Sequence, residues 1–232
     1  MNQKLVIYCM KKRIIYFWYK RFRKYPFICC GNAYGGFDVV IRENIKNPIV
    51  YSFGIGEDLS FSQAVIDQLG AEVYAFDPTP KSIKFVNESK LCNNPHFHFF
   101  PYSISDKDEK EHFYLPTNNE YVSGSVIVHE GVEKEIQVEM KSLKTIMKQL
   151  NHDKIDILKM DIEGSEFKVI ENLDEEEGRV IGQICIEIHE RYFEHPIHRL
   201  IGLLNCLKRK KFSVACIKDL DVVTLVNDRS AK

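Results

Sequence analysis

The sequence predicts an α/β fold, in which helices cover both faces of a mostly parallel, seven-stranded sheet that ends in an antiparallel hairpin. From residue 48 onward, short apolar runs alternate with segments of helical periodicity, as repeated β-α-β units require. Only a short turn separates the last two apolar runs, whereas parallel neighbours need a crossover of about a dozen residues or more. The 232 residues, 44% of them hydrophobic, suffice for one domain with a complete core.

The first half of this region alternates three strands with two helices. In order, the predicted elements are strand Pro48–Phe53, helix Ser60–Leu69, strand Glu72–Phe76, helix Lys81–Ser89 and strand Phe97–Ile104. Gly70 follows the first helix, where glycine commonly ends one. Gly54 and Asp77 directly follow the first two strands, at the carboxyl edge of the sheet where open α/β folds bind ligands.

The second half begins with extended segments and then returns to strand–helix alternation. The extended segments are Glu111–Leu115, Ser125–His129 and Glu135–Met140, with the turn-rich stretch Pro116–Gly124 between the first two. After them come helix Ser142–Leu150, strand Ile155–Met160, helix Glu166–Leu173, strand Gln183–Ile188, a helix through Ile197 and Leu207, and strands Phe212–Ile217 and Val222–Val226. Seven strands with a final antiparallel pair have the shape of a class I methyltransferase domain, whose sheet is Rossmann-like.

A net charge of −1 conceals a strong division of charge along the chain. Residues 1–37 contain eight basic side chains and no acidic one, whereas residues 38–232 contain 24 basic and 33 acidic side chains. We therefore divide the chain into a basic, aromatic N-terminal arm (residues 1–37) and a single acidic domain (residues 38–232). The acidic domain disfavours nucleic acid as a partner. Seven cysteines without a C-x-x-C pair are typical of reduced thiols in a cytoplasmic protein.

The arm has two interpretations. Aromatic and basic residues alternate over residues 4–27 and include the single tryptophan, Trp18. This composition suits peripheral contact with anionic lipid at the inner face of the membrane, and its uncharged runs of six residues are far shorter than the ~20 needed to cross a bilayer. Alternatively, the arm forms a helix that docks on its own acidic domain, covers the cleft or makes a homodimer contact. We slightly favour the docked helix.

The first chemical motif is the turn after the first strand, Gly54-Ile-Gly56, which Glu57 and Asp58 follow. Glycines in this place let the backbone approach a ligand closely, and the next helix presents free N–H groups. The third glycine of a dinucleotide fingerprint is missing, and a pyrophosphate would meet two carboxylates. An amino-acid sulfonium such as S-adenosylmethionine therefore fits better than NAD.

Asp77 ends the second strand, about 20 residues beyond the glycine turn, where an acidic side chain accepts hydrogen bonds from ribose hydroxyls. The alternative is that Asp77 only caps the turn before Pro78. The spacing from the glycines favours ribose binding.

A third motif follows the fourth predicted strand, where Asp161, Glu163 and Glu166 lie close to Lys159. Acidic residues also favour the first turn of a helix. However, Asp161 and Glu163 directly follow a buried strand, beside the position where such sheets bind ligands. We therefore include them in the candidate site.

These segments together resemble the FkbM-type methyltransferase family. Lys159-Met-Asp-Ile-Glu-Gly-Ser-Glu166 resembles its signature K-[IM]-D-[IV]-E-G-x-E, Phe76-Asp77-Pro78 its F-[ED]-P motif, and Glu187-Ile-His189 its E-x-H motif. Val122–Ser125 resembles the small-residue loop before the family's central hairpin. The four matches keep the order and spacing of the family over residues 48–227.

The resemblance implies a fold that binds S-adenosylmethionine and transfers a methyl group to oxygen, often to a sugar hydroxyl of a polysaccharide, glycolipid or secondary metabolite. It places Gly54 and Gly56 beside the methionine moiety and Asp77 at the ribose, and it brings Ser103 and Ser105 to the adenine. The transfer site that it implies consists of Asp161, Glu163, Glu187 and His189.

One position departs from class I enzymes in general, most of which carry an acid two residues before the first glycine. This chain has Ser52 there. We expect Glu57 or Asp58 to contact the amino group of the cofactor instead.

A sugar hydroxyl is a weak nucleophile and gains from a general base. His189 is the first candidate and Asp161 the second, with a purely structural histidine as the alternative for His189. The carboxylates of Asp161, Glu163 and Glu187 could instead hold a divalent cation, but we favour a site without metal.

The sequence thus favours an S-adenosylmethionine-dependent O-methyltransferase whose acceptor is a small molecule or a glycan. A non-catalytic S-adenosylmethionine-binding or scaffold module on the same fold is the alternative, motivated by Ser52 and the basic arm. An NAD-dependent oxidoreductase is disfavoured by the missing third glycine.

Overall fold

The structure, a computed structural model, describes residues 3–20, 25–42, 46–116 and 132–230. In chain order, its first elements are α1 (Gln3–Tyr19), β1 (Phe27–Cys30), β2 (Phe37–Val40), β3 (Ile49–Phe53), α2 (Ser60–Leu69), β4 (Glu72–Phe76), α3 (Pro80–Glu88), β5 (Phe97–Phe100), β6 (Ser103–Ser105), β7 (Glu109–Pro116) and β8 (Val132–Ser142). The elements that follow are α4 (Leu143–Leu150), β9 (Ile155–Met160), α5 (Ser165–Asn172), α6 (Glu175–Val180), β10 (Ile181–Glu187), α7 (Pro196–Arg209), β11 (Phe212–Ile217) and β12 (Val222–Asn227).

The central sheet has seven strands in the order β11-β12-β10-β9-β3-β4-β5. Strand β12 is antiparallel to both of its neighbours, β10 and β11, while β3 pairs in parallel with β4 and β9. The predicted fold class is therefore confirmed. Because the chain proceeds from β3 outward to one side and then returns to β9 on the other, the carboxyl ends of β3 and β9 form the switch point where such sheets bind ligands.

The sheet separates two hydrophobic cores. Tyr51 and Phe53 of β3 point into the larger core, which also contains residues of α5 and α7. Val50, from the same strand, points to the other side, into a core that includes residues of α2. Central strands are thus buried on both faces, as parallel sheets require, and the β3 run is apolar almost throughout for this reason.

One predicted strand is broken in two. The segment expected to be continuous from Phe97 to Ile104 forms β5, which belongs to the central sheet, and β6, which pairs with β8 in a separate three-stranded sheet. Pro101 lies between them, and proline cannot donate a ladder hydrogen bond. The predicted strand Ser125–His129 and the loop Val122–Ser125 lie outside the described residues.

An N-terminal hairpin, which the periodicity does not predict, packs on the central sheet. Strands β1 and β2 pair antiparallel, and β2 begins at the domain boundary that we placed between residues 37 and 38. The fully buried Gln183 of β10 joins the hairpin to the sheet: Val40 N donates to Oε1 of Gln183 (2.9 Å), and Nε2 of Gln183 donates to Val40 O (3.0 Å). A side-chain amide thus replaces a strand partner.

Helix α1 lies against α7 and β11. In the described part of the chain, none of the helices combines the length and the hydrophobicity that crossing a bilayer requires.

The Gln183 contact gives a test of this packing. Gln183→Ala leaves a buried N–H and a buried carbonyl of Val40 without partners, so the free energy of unfolding should fall by about 2–5 kcal/mol, measured by urea denaturation. Gln63→Ala, which removes an exposed glutamine of α2 that bonds Asp67, should cost less than about 0.5 kcal/mol. Equal small losses in both variants would contradict the bridging role.

Candidate active site

An open cleft lies at the carboxyl ends of β3, β4 and β9. The sequence-predicted residues that line it are Gly54, Gly56, Glu57, Asp58, Asp77, Ser103, Asp161 and Glu163. The strand ends bring these residues together although the set extends from position 54 to position 163 of the chain.

The glycine turn is shaped by the close approach of two strand ends. Gly54 has a φ of +77°, and a Cβ added to it would lie 1.7 Å from the carbonyl oxygen of Asp161. Asp161 N also donates to Phe53 O at 3.1 Å. Glycine is therefore required at position 54 by the contact between the turns after β3 and β9, whether or not a ligand is bound.

Asp77 braces the same turn from the other side. Its Oδ2 accepts hydrogen bonds from Ile55 N (2.9 Å) and Gly56 N (3.0 Å), while its Oδ1 accepts from the backbone N (2.9 Å) and the hydroxyl (2.7 Å) of Thr79. This geometry is compatible with both interpretations of Asp77, because the side chain caps the turn after β4 and also faces the cleft. Its ribose contact stays a prediction.

The β1–β2 loop closes one side of the cleft. Asp58 fixes this loop, since its Oδ2 accepts from Asn32 Nδ2 at 2.8 Å and its Oδ1 accepts from Ser60 N at 2.7 Å. Tyr34 and Gly35 of the loop line the cleft as a result. Sequence reasoning missed this contribution, and the Gly35-Gly36 pair was the available turn signal.

Two polar side chains lie at the base of the cleft. Lys159 is buried and donates hydrogen bonds to the carbonyl oxygens of Gly54 and Phe53, and its Nζ lies 3.6 Å from Oδ2 of Asp161. Ser52 is also buried, and its hydroxyl has no hydrogen-bond partner among the described residues. Lys159 therefore positions the glycine turn, whereas the Ser52 hydroxyl is available to a ligand.

His189 lies beside the cleft, held by a buried carboxylate. Oε1 of Glu166 accepts a hydrogen bond from His189 N at 2.7 Å and lies 3.2 Å from Nδ1 of the His189 ring, and Oε2 accepts from Gly164 N at 2.8 Å. Glu166 and His189 are both fully buried. The carboxylate thus fixes the ring orientation and directs Nε2 away from the helix.

Three further carboxylates surround Nε2 of His189. The distances from Nε2 to the nearest carboxylate oxygens are 3.4 Å for Glu163, 3.5 Å for Glu187 and 3.7 Å for Asp161. We call His189 and these three carboxylates the transfer cluster. Asp161 and Glu163 line the cleft as well, so the cluster opens onto it.

The transfer cluster shifts the protonation of its members. Burial of His189 opposes a positive charge, but the hydrogen bond to Glu166 and the charges of Glu166, Glu163 and Asp161 outweigh it and raise the pKa of His189 to about 9. Burial and the charge of Asp161 raise the pKa of the Glu187 carboxyl. At neutral pH the imidazole of the free protein therefore carries a proton.

A metal ion could also be held here. Asp161, Glu187 and His189 each offer a ligand atom, and these atoms lie within 4.8 Å of one another. Carboxylate and imidazole ligands suit several divalent cations. The imidazolium of His189 provides positive charge in the same place without a metal.

Ser105 does not line the cleft. Its hydroxyl donates to Oδ1 of Asp106 at 3.1 Å, and it lines a small separate cavity beside Asn172 and Leu173. Ser103 lines the cleft. Of the two serines expected near the adenine, the structure places only Ser103 in the cleft.

Comparison with known sequences identifies the family. Residues 48–212 match the model of the methyltransferase FkbM domain, which is well over half of the chain. The chain belongs to the FkbM methyltransferase family. The predicted resemblance is thereby confirmed, and the FkbM signature acids Asp161, Glu163 and Glu166 all lie in or against the transfer cluster.

Curated relatives of this FkbM domain include the probable methyltransferase-like protein 24 of Homo sapiens, 30% identical over 142 residues, which cover 60% of this chain and 32% of the relative. The Rattus norvegicus protein of the same description is 28% identical over 196 residues, or 81% of this chain and 47% of the relative. The chain spans less than half the length of these curated relatives.

A solved structure shares the fold. The crystal structure of methyltransferase FkbM from Methylobacillus flagellatus matches with a TM-score of 0.50 and 14% identity, covering 80% of this chain and 44% of that protein. At this identity the likeness supports the class I sheet and no further property.

The bracing role of Asp77 predicts a loss of stability. In Asp77→Asn one of the two acceptor oxygens becomes an NH2 group, so either the Ile55 and Gly56 amides or Thr79 faces another donor. We expect the free energy of unfolding to fall by about 2–4 kcal/mol in chemical denaturation. The matched change Asp67→Asn, at an exposed position of α2, should leave it within about 0.5 kcal/mol. Identical unfolding curves for the two variants would contradict the brace.

Proposed function

We propose that this FkbM family member is an S-adenosylmethionine-dependent O-methyltransferase that acts on a sugar hydroxyl of a polysaccharide, glycolipid or secondary metabolite. The transfer cluster carries the proposal. Three carboxylates around one imidazole accept hydrogen bonds from the hydroxyls of a neutral acceptor, and they would repel a phosphate group.

The cleft fits the cofactor that the family implies. Its lining carries Glu57, Asp58 and Asp161, which suit a cationic ligand, and the unsatisfied hydroxyl of Ser52 provides a polar contact for the amino-acid end. Asp77 would hold the ribose and Ser103 would face the adenine. When bound, S-adenosylmethionine would supply a methyl group that can pass from its sulfonium to an oxygen nucleophile, with the neutral thioether as the leaving group.

The residues of the chain position and activate the acceptor. Because Glu166 engages Nδ1 of His189, Nε2 is the atom that takes the proton from the acceptor hydroxyl. Glu163, Glu187 and Asp161 stabilise the imidazolium that forms, and they orient the neighbouring hydroxyls. Orientation accounts for much of the acceleration in such a displacement, and proton removal makes the oxygen a better nucleophile.

The direct test measures binding and transfer separately. Calorimetry with S-adenosylmethionine should detect binding to the purified protein, and tritiated S-adenosylmethionine should label one or more methyl glycosides of hexoses or deoxyhexoses. His189→Gln should abolish labelling while it leaves the cofactor affinity within about threefold. Binding without labelling of any glycoside would favour the non-catalytic module, and absence of binding would overturn the proposal.

The raised pKa of His189 predicts the pH dependence of transfer. A base must be unprotonated, so kcat/KM should rise about tenfold per pH unit and level off near pH 9. Glu166→Gln removes the nearest negative charge, which lowers the pKa of His189, so its profile should level off at least about one unit lower. Superimposable profiles for the two proteins would exclude His189 as the base.

The role of His189 as the base also predicts that transfer needs no metal, because the imidazole can take the proton of the acceptor hydroxyl without one. Activity after dialysis against a chelator should equal that of the untreated protein, and added Mg²⁺ or Mn²⁺ should change it less than about twofold. A loss on chelation that one of these ions restores would instead assign a metal to Asp161, Glu187 and His189.

A further inference from the structure

Five large apolar side chains of α1 are exposed on one face of the helix. They are Ile7, Met10, Ile14, Phe17 and Trp18, with 47%, 58%, 57%, 66% and 75% of their surfaces exposed. Their spacing of three or four residues places them on one face. We call this face the apolar ridge.

The opposite face of α1 is fixed to the domain, so the ridge cannot turn inward. Lys12 is fully buried and contacts the carboxylates of Glu190 and Asp221. The buried Tyr16 donates its hydroxyl to Leu220 O at 2.8 Å, and Tyr8 donates to Oε1 of Glu190 at 2.5 Å. The helix therefore presents the ridge outward in a fixed orientation.

Positive charge flanks the ridge. Lys11 and Arg13 are exposed, and on a helical projection of α1 Lys11 lies on one side of the ridge while Arg13 lies on the other. Residues 1–37 contain no acidic side chain at all. An apolar stripe between basic borders is the pattern of helices that lie in the interface of anionic membranes.

We propose that the apolar ridge docks on the surface of an anionic lipid bilayer, with α1 parallel to the membrane plane. The five apolar side chains would enter the boundary between headgroups and acyl chains, while the flanking cations contact lipid phosphates. A lipid surface fits better than a protein groove because the ridge is convex and its borders carry one sign of charge. This docking does not depend on the proposed methyl transfer.

Trp18 is the single tryptophan of the chain, so its fluorescence reports on the ridge directly. With the full chain at low salt, vesicles of phosphatidylcholine and about 30% phosphatidylserine should shift Trp18 emission to the blue and carry the protein down in sedimentation. Pure phosphatidylcholine vesicles should bind at least tenfold less. Brominated acyl chains should quench Trp18 in the anionic vesicles.

Matched variants separate the ridge from other exposed groups. Ile14→Ser with Phe17→Ser keeps Trp18 and should weaken vesicle binding at least tenfold, with an unchanged circular dichroism spectrum because both side chains are exposed. Tyr34→Ser removes an exposed aromatic ring away from α1 and should bind like the wild type. Lys11→Gln with Arg13→Gln should lose about fivefold per charge, and Lys144→Gln with Lys148→Gln, on α4, should lose less than about twofold.

Two results would overturn the proposal. One is the absence of vesicle binding at low salt. The other is a dimer in the absence of vesicles, with Trp18 emission already shifted to the blue, that becomes monomeric when Ile14→Ser and Phe17→Ser are combined. That result would make the ridge an interface between copies of this chain.

Discussion

The carboxylate of Glu166 joins the two strand ends on which the candidate active site depends. It accepts hydrogen bonds from Gly164 N, in the turn after β9, and from His189 N, at the end of β10, and it lies against the His189 ring. A buried charge is tolerable only when it is fully paired. The hydrogen bonds that stabilise the buried carboxylate of Glu166 therefore also fix the geometry of the transfer cluster.

Charged side chains also hold the backbone at the other strand ends. Asp77 accepts the free amides of the glycine turn, and Lys159 donates to the carbonyl oxygens of that turn. Irregular backbone at a cleft cannot pair with itself, so ionised side chains supply its hydrogen bonds. The cleft is consequently rich in charge before any ligand enters, and a cationic cofactor suits its acidic side.

The sequence predicts most of the sheet because its strands are buried on both faces and form continuous apolar runs. Ile155–Met160 and Phe212–Ile217 have the predicted bounds. The β1–β2 hairpin escaped prediction because strands of four residues have too little periodicity to be recognised. The chain leaves the central sheet at Pro101 and forms β6 in another sheet, and of the two serines of β6 only Ser103 lines the cleft.

Motif spacing placed Asp161, Glu163, Glu187 and His189 at the sheet edge, and the structure brings an oxygen of each of the three carboxylates within 3.7 Å of Nε2 of the imidazole. The sequence could not show that Glu166 turns back to hold His189, since that contact crosses 23 residues and depends on the pairing of β9 with β10. The orientation of the histidine was therefore beyond sequence reasoning.

Helix α1 is connected to the same region of the molecule. The carboxylate of Glu190 accepts hydrogen bonds from Lys12 and Tyr8 of α1, and Glu190 directly follows His189 in the chain. The residue that anchors α1 is therefore adjacent to the candidate base. The basic arm and the acidic domain are thus joined at a buried ion pair.

The protonation of His189 is the most direct test of the site. A titration of the free protein by nuclear magnetic resonance, with ¹⁵N-labelled histidine, gives the pKa of this ring and identifies the nitrogen that keeps its proton. The arrangement around Glu166 predicts a pKa of about 9, with Nδ1 protonated above it. A pKa at or below the ordinary value of 6.5 would contradict the carboxylate cluster as the determinant of the site.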